Sequence, residues 1–571
     1  MVEGVISAES SAAALPRRPA PACLGPTAHV DTFARDHLPP QEQWPEFLFE
    51  LPEVQYPEKL NCAAELLDRA IAQGWGDRPV IHAPHGGEGR TVFTYRQLLA
   101  LSNRIAHVLT EDLGLVPGNR VLLRSPNTPM LAACLLAAWK AGCIVVPTMR
   151  LLRAKELRQV IDKAKVDVAL CDVRLRDELD AAARSCGNPR KIVYFGSDEP
   201  DSLERRLASK PAGFRNIETA SDDVALIAFT SGTTGVPKAA LHFHRDVLAM
   251  CDCWPRSILK PRPDDIFCGT PPLAFTYGLG VMLCVPMRYG ASTVLVETVT
   301  PPGLLETVDR FRCTFVATVP TFYRQMAPFV GDFDISTLRV AISSGEALPD
   351  ATRVLFRKAS GLELIDGFGA TEMMQTFISH TPDRVRSGAT GYVIPCYRAV
   401  VLDENGKPCP PGVTGRLAVK GPTGCLYLSD ERQQRYVQDG WNVTGDMYRI
   451  DDDGYFFFQG RSDDVIVSAG YNISGLEVES MLLQHEAVAE CAVVGMPDEE
   501  RGQVVSAFVV LKPELVAGPQ LAKTLQDFVK SSIAPYKYPR RLEFVASLPR
   551  SESGKLQRFQ LRQRPPAAAG S

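Results

Sequence analysis

Nine consecutive residues, Thr230-Ser231-Gly232-Thr233-Thr234-Gly235-Val236-Pro237-Lys238, carry the chemistry of an anion site. Gly232 and Gly235 let backbone N–H groups approach an anion closely. The hydroxyls of Ser231, Thr233 and Thr234 and the ammonium of Lys238 add donors and positive charge, a set that suits the β- and γ-phosphates of a nucleotide. The spacing is not that of the G-x-x-x-x-G-K-[ST] phosphate loop, because Pro237 precedes the lysine and Ala239 follows it. A polar turn after a strand would explain two or three such residues, not nine in this order.

Further stretches carry chemistry in the same chain order. Ser343-Ser344-Gly345-Glu346-Ala347 lies at the end of an apolar run, and Asp366-Gly367-Phe368-Gly369-Ala370-Thr371-Glu372 follows it. A carboxylate such as Glu372 is the hard oxygen ligand that Mg²⁺ prefers. Asp446, in Trp441-Asn442-Val443-Thr444-Gly445-Asp446, is a bidentate acceptor, the natural partner of a vicinal diol. Gly460-Arg461-Ser462-Asp463-Asp464 reads as a turn, and Lys555 follows Gly554 in a polar loop. His242 and His244, spaced i and i+2 without a third ligand, do not make a zinc site.

Taken together these strings resemble the adenylate-forming superfamily of acyl-CoA synthetases, peptide-synthetase adenylation domains and luciferases, over roughly residues 45 to 560. Ala239 stands where that family's loop ends in glycine. The resemblance implies ATP phosphates on Thr230 to Gly235 and Lys238, adenine at Ser344, Gly345 and Glu346, and adenine stacking by Phe368 within Asp366-Gly367-Phe368-Gly369. It also implies Thr371 at the α-phosphate, Glu372 on Mg²⁺, and ribose on Asp446 and Arg461. Lys555 would bridge the acid's carboxylate and the α-phosphate, and Asp463 would be the pivot of a mobile small domain. The segment Ser468-Ala469-Gly470-Tyr471 would meet coenzyme A, with Gly470 lining the pantetheine tunnel. The chemistry implied is carboxylate activation: attack on the ATP α-phosphate to give an acyl adenylate and pyrophosphate, then thioester formation with release of AMP. Pro272 to Gly280, expected as a strand, occupies the family's acyl-pocket position, with Phe275, Thr276, Tyr277 and Gly278 against the acid; a flat ring stacks well between aromatics. His244 would border the same pocket. This stretch, Met373-Met374-Gln375 and Pro57 to Asn61 resemble benzoate- and 2-aminobenzoate-CoA ligases. Gln375 could accept a hydrogen bond from an ortho amino or hydroxyl group, which favours 2-aminobenzoate, with benzoate beside it. Loading of an aryl acid onto a separate carrier protein and medium-chain acyl-CoA synthesis remain alternatives; the sequence after Lys555 shows no carrier domain, so free coenzyme A is the expected acceptor.

These residues need a scaffold that brings strand ends together. Apolar runs alternate with helical spacing: Arg120 to Leu123, helix Met130 to Lys140, Cys143 to Pro147, helix Ala154 to Ala164, Val168 to Cys171. That rhythm predicts an α/β domain with parallel strands, and functional loops gather at the carboxyl ends of such strands. Thr94 is the expected N-cap of a helix. From Gly391 short hairpins are expected, with a turn at Asn405-Gly406, and after Arg461 a compact α+β unit. The fold expected is therefore an acyl-CoA synthetase-like α/β protein, a large multi-sheet N-terminal domain plus a small mobile α+β C-terminal domain. Its predicted limits are 1–28 as a disordered, Ala/Pro/Ser-rich extension, 29–460 as the adenylation domain, 461–565 as the small domain and 566–571 as a loose tail.

At 571 residues the chain exceeds one compact core. A net charge of −4 gives no support for nucleic-acid binding. The 15 cysteines follow no repeated metal spacing and read as reduced thiols. The most apolar span, Leu131 to Pro147, is interrupted by Lys140 and reads as a buried helix running into a strand, not a membrane span. The expected setting is the cytoplasm, and the expected assembly a monomer or homodimer that meets only small molecules.

Overall fold

The computed structural model describes residues 24–84, 90–230, 237–462, 464–468, 471–498, 500–550 and 556–564. Two large sheets lie on either side of a shared core. The first has nine strands, in the order Tyr392–Val393, Thr376–Ser379, Leu364–Gly369, Val340–Ser344, Phe315–Thr318, Ile266–Gly269, Ser292–Val294, Pro79–Pro84 and Arg90–Thr94. Its inner pairs are parallel and its outer pairs antiparallel. The second has six, in the order Lys191–Phe195, Val168–Asp172, Arg120–Arg124, Ile144–Thr148, Val224–Thr230 and Lys238–Phe243, parallel except for the last hairpin.

Helix Pro129–Lys140 belongs to the core between them. Thr128 caps it by accepting the Leu131 N–H at 3.2 Å, and Pro129 fits the first turn, where no N–H is needed. Leu131 through Lys140 are buried without a break, the pattern of a helix apolar on all faces. Burying each Leu there is worth roughly 1.5–3 kcal/mol, so a charge at Leu135 would undo the packing. The buried Lys140 ammonium is neutralised by Asp68 at 2.6 Å, and Trp139 Nε1 donates to the Ala225 carbonyl at 2.8 Å. Ala225 belongs to strand Val224–Thr230, so the central helix holds the strand that leads to the phosphate-type loop. Helices Pro301–Phe311 and Asp350–Ser360 pack on the far face of the nine-stranded sheet through Leu304, Val308 and Phe356. Period-two alternation divides the strands of the smaller sheet: Val121 and Leu123 face the shared core and Leu122 the opposite cluster. Helix Tyr95–His107 opens with a full capping box, Thr94 with Gln97.

A third sheet is antiparallel: Arg398–Leu402, Gly415–Lys420, Trp441–Ile450 and Val437–Gln438, with Phe456–Arg461 beside Trp441–Ile450. Asn405-Gly406 lies in a tight turn closed by Asp403 and Lys407, with Gly406 at φ +77°. The last sheet comprises Tyr471–Ile473, Ile466–Ser468, Gly502–Leu511, Val488–Asp498 and Arg541–Phe544. Helices Gly475–Leu482 and Pro519–Ser532 cover one face through Val478, Leu482, Leu525 and Val529, while Leu561 packs on Ala492, Val494 and Phe508. This is a mixed α/β protein with a large N-terminal and a small C-terminal domain. No described helix is long and apolar enough to cross a membrane.

One expectation is corrected here. Pro272 to Gly280 is not a strand: Thr276–Leu279 is a helical turn running into Gly280–Cys284. A Cβ on Gly278 would sit 2.0 Å from the Pro272 carbonyl oxygen. Only glycine permits that close wrap, and it curls the chain where alternating aromatics suggested extension.

Candidate active site

The hairpin Val224–Thr230/Lys238–Phe243 pairs Thr230 with Lys238, so the two ends of the Gly-rich stretch are fixed opposite each other. Lys238 lies above the rings of Tyr427 and Tyr436, 5.3 and 6.0 Å from their centroids, and 4.0 Å from Glu372 Oε1. That oxygen also accepts the Tyr427 hydroxyl at 2.6 Å. Tyr427 is itself held by a bridge to Ala240 and by its N–H donating to Gln433 at 2.9 Å. Glu372 therefore has one oxygen directed by Tyr427 and Lys238, while its second oxygen has no hydrogen bond among the described residues. A hard carboxylate oxygen beside a lysine suits a divalent cation carried by phosphates. No cluster of three or more metal-ligating side chains occurs among the described residues, so such a cation would depend on the phosphates for its remaining ligands.

Thr371 and Glu372 sit in a single 3₁₀ turn, Thr371–Met373, ended by Met374 in the left-handed region at φ +65°. A non-glycine residue there costs about 1–3 kcal/mol and is kept where the surroundings impose it. The turn sends Glu372 toward Lys238 and Gln375 to the other side, against Tyr397. Alternation along Lys238–Phe243 puts His242 on the Lys238 face; it lies 3.9 Å from Asp246 and beside the Thr371 backbone. Burial lowers His242 to about 4 and raises Asp246 to about 7. His244 is placed elsewhere. As the first residue of helix His244–Asp252, its Nδ1 accepts the Cys62 N–H at 3.2 Å, near His29 and Asp223. The two histidines share strand parity, but the strand ends at Phe243 and the helix that follows sends His244 toward Cys62, which leaves His242 on the Thr371 side.

Ser344 ends its strand and donates to the Gly367 carbonyl at 2.6 Å, tying it to Leu364–Gly369. Gly345 turns at φ +89°, and Glu346 accepts the Thr321 hydroxyl at 2.9 Å. Asp366 is buried. Desolvation raises it to about 7, opposed by Arg353 and by the Gly367 N–H. Phe368 is half-buried among the edges of Tyr448, Phe377 and Phe458, 5.2–5.8 Å away. A Cβ on Gly369 would lie 2.3 Å from the Gln375 carbonyl, and one on Gly367 3.2 Å from Trp254. Both glycines let this strand meet its neighbours closely. Asp446 and Arg461 face each other across paired strands, Nη1 to Oδ1 at 3.5 Å, with Gly445 at φ +78° beside them.

Around the helical turn that replaces the expected strand, Phe275 is half-buried and Thr276 and Gly278 are buried. The Tyr277 hydroxyl is buried without a partner, and burial and the nearby Asp366 hold it un-ionised. Gln375 Nε2 donates to Tyr397 at 2.7 Å; Tyr397 is 2.6 Å from Thr423, which donates to the Met373 carbonyl at 2.7 Å. Gln375 Oε1 and Trp254 Nε1 are buried without partners. Ser468 and Tyr471 belong to the small domain's sheet, where Tyr471 stacks on Tyr536 at 4.5 Å. Ser231, Gly232, Thr233, Thr234, Gly235, Asp463, Ala469, Gly470 and Lys555 lie outside the described residues. Tyr427, Tyr436, Trp254 and Tyr397 carry no sequence signal: Tyr427 is one polar group in the apolar run Cys425 to Leu428, and the other three are single aromatics outside any motif.

The arrangement, a lysine and a carboxylate at strand ends with a Gly-rich stretch between paired strands, has known counterparts. Residues 68–426 match the AMP-binding enzyme family and residues 477–555 the AMP-binding enzyme C-terminal domain. The chain is an AMP-binding enzyme. Benzoate–CoA ligase of Thauera aromatica is 34% identical over 520 residues, covering 90% of this chain and 97% of that protein. Among solved structures, the anthranilate CoA ligase AuaEII in complex with anthranoyl-AMP superposes with a TM-score of 0.85 at 30% identity, over 90% of this chain and 98% of that one. A benzoate CoA ligase from Burkholderia xenovorans LB400 gives 0.80 at 30%, over 88% and 100%. This AMP-binding enzyme is thus an AMP-forming acid–CoA ligase, working through an acyl adenylate.

Proposed function

We propose that this enzyme activates an aromatic carboxylic acid, first 2-aminobenzoate and second benzoate, to its coenzyme A thioester in the cytoplasm. The observation that carries the choice of acid is the orientation of the Gln375 amide. The Met373 carbonyl can only accept, so Thr423 spends its one proton there. Tyr397 must then donate to Thr423, which leaves its oxygen to accept from Gln375. The amide NH₂ is committed, and the buried Oε1 is fixed as an acceptor with nothing to accept. A ligand beside it must donate. The ring amine of 2-aminobenzoate has two hydrogens: one serves its own carboxylate and one remains for Gln375. The hydroxyl of 2-hydroxybenzoate has only the first, and benzoate has neither.

In this reading Phe275, Thr276, Tyr277 and Gly278 hold the ring. Residues 230–235 and Lys238 take the ATP phosphates, and Glu372 holds Mg²⁺ through its second oxygen, with Thr371 at the α-phosphate. Ser344, Gly345, Glu346 and Asp366 to Gly369 hold adenine, while Asp446 and Arg461 hold ribose. Lys555 neutralises charge as the bond to pyrophosphate breaks, and Ser468 to Tyr471 receive coenzyme A after the small domain turns about Asp463. Thioester formation from ATP, Mg²⁺ and coenzyme A tests the reading across benzoate, 2-aminobenzoate, 2-hydroxybenzoate, 4-hydroxycinnamate and octanoate. Preference for 2-aminobenzoate supports it. Preference for octanoate refutes the aromatic pocket, and acyl adenylate without thioester refutes coenzyme A as acceptor.

A further inference from the structure

Two arginines outside the proposed binding residues join the small domain to the large one. Arg550 donates from Nη1 to Glu346 of the large domain at 3.2 Å and from Nη2 to Glu490 of the small domain at 2.8 Å. Arg324, on helix Pro320–Met326 of the large domain, donates to the Ala489 carbonyl at 2.9 Å and the Val488 carbonyl at 3.3 Å. Both contacts therefore converge on residues 488–490. Glu346 is itself anchored by the Thr321 hydroxyl at 2.9 Å. Arg550 also pairs in an isolated antiparallel bridge with Leu556, and the Gln557 N–H donates to the Pro549 carbonyl at 2.9 Å. Lys555 immediately precedes Leu556 in sequence. The guanidinium that reaches Glu346 thus stands at the base of the segment that ends in Lys555.

We propose that Arg550 is a positioning residue for the first half-reaction: its fork clasps Glu346 and Glu490 together and so fixes the base of the lysine segment against the nucleotide side of the large domain. This rests on the ligase reading above. A guanidinium fork suits the task because it presents parallel N–H donors to two carboxylates at once, and charge-assisted bonds of this kind are the strong ones. The three side chains are 15–27% exposed, so the bonds are partly shielded from solvent screening. Arg324 backs the same clasp through main-chain carbonyls. The second half-reaction needs the lysine withdrawn, so the clasp has to open before it, and it serves adenylation alone.

The test separates the half-reactions in the full-length enzyme, with 2-aminobenzoate and benzoate as acids. Adenylation is read as pyrophosphate–ATP exchange, and thioester formation is read from pre-made acyl adenylate plus coenzyme A. Arg550→Ala should slow exchange roughly tenfold, the loss of one charge-assisted hydrogen-bond set, and leave thioester formation within about twofold. Arg550→Lys should recover part of the exchange, because it keeps the charge but not the fork. Arg324→Ala should act in the same direction, and the double variant Arg550→Ala/Arg324→Ala should still spare the thioester step. Equal loss in both half-reactions, or undiminished exchange in Arg550→Ala, overturns the proposal. If Arg550→Ala does not fold, the split in Arg550→Lys and Arg324→Ala decides on the same criteria. Absence of exchange and of thioester formation in the unsubstituted enzyme with every acid would instead refute the ligase reading, and the clasp's role with it.

Discussion

Replacing Gln375 by leucine separates a hydrogen bond from a shape. The two side chains have similar volume, so a buried exchange leaves little cavity, typically costing less than about 1.5 kcal/mol of stability. What disappears is the acceptor. Gln375 is only 7% exposed, so water is a poor substitute for a missing ligand donor, and the bond between a substrate amine and Oε1 is worth about 1–3 kcal/mol. At 1.4 kcal/mol per factor of ten, the ratio of kcat/KM for 2-aminobenzoate over benzoate should fall by about 5- to 140-fold. Benzoate itself should be used as well or better, because it no longer leaves a buried oxygen unpaired. The assay is competition, with both acids at equal concentration and the two thioesters resolved by chromatography. Tyr397→Phe is the companion variant: it removes the acceptor that fixes the amide and lets the amide turn over, so the ratio should fall by a smaller factor, about threefold. An unchanged ratio in a folded Gln375→Leu protein would show that Oε1 does not face the acid. Equal loss for both acids would assign Gln375 to packing, and either result refutes the argument from the amide.

The remaining predictions concern charge. Lys555→Ala should lower adenylation by about 10²–10³-fold, the scale of removing one preorganised stabiliser of transition-state charge, with an unchanged melting temperature; normal exchange in that variant would remove Lys555 from the reaction. Tyr427→Phe frees the Glu372 oxygen that Tyr427 now directs at 2.6 Å, and should raise the Mg²⁺ concentration for half-maximal adenylation about tenfold while leaving the KM for the acid alone. A changed KM for the acid with the same Mg²⁺ dependence would refute that role. Asp366 has its folded-state pKa raised to about 7 by burial from 3.8, so the folded chain binds the proton more tightly than the unfolded one. Its contribution to stability is complete below pH 4 and is lost as pH rises to 7, on the order of 4 kcal/mol. Asp366→Asn should therefore raise the melting temperature of the ligand-free enzyme at pH 8 more than at pH 5, and an equal shift at both would refute the linkage.

The reach of the sequence was set by how the site is wired. Residues 230–238 and 366–372 are contiguous, and each follows an apolar run, so type and spacing survive in one dimension. The residues that orient them do not. Tyr427 directs Glu372 from 55 positions away, and Tyr397 and Thr423 fix the Gln375 amide from 22 positions away and through a further contact 26 positions on. Tyr427 is a single polar group in the apolar run Cys425 to Leu428, which reads as core, and Tyr397 and Thr423 stand among prolines and small residues with no motif of their own. His242 and His244 share strand parity, so alternation alone does not tell them apart; the helix beginning at His244 turns that ring toward Cys62, a change of direction that the sequence does not announce. Pro272 to Gly280 was misread because small residues between aromatics fit a strand as well as a tight helical turn. The 2.0 Å clearance that demands Gly278 exists only once Pro272 is in place.

Met374 makes the two halves of the site one unit. Its left-handed backbone, φ +65°, lets the side chains on either side of it serve different partners: Glu372 meets Tyr427 and Lys238, Met373 is packed in the core with its carbonyl held by Thr423, and Gln375 meets Tyr397. Thr423 thus supports the cation-side turn through the Met373 carbonyl and, through Tyr397, sets which atom of Gln375 is offered to the acid. A hydroxyl 50 residues downstream of Met373 therefore links the geometry of the metal-side carboxylate to the polarity of the acid pocket. Small shifts in either are transmitted through bonds of 2.6–2.7 Å rather than absorbed by solvent, because every member of the chain is buried.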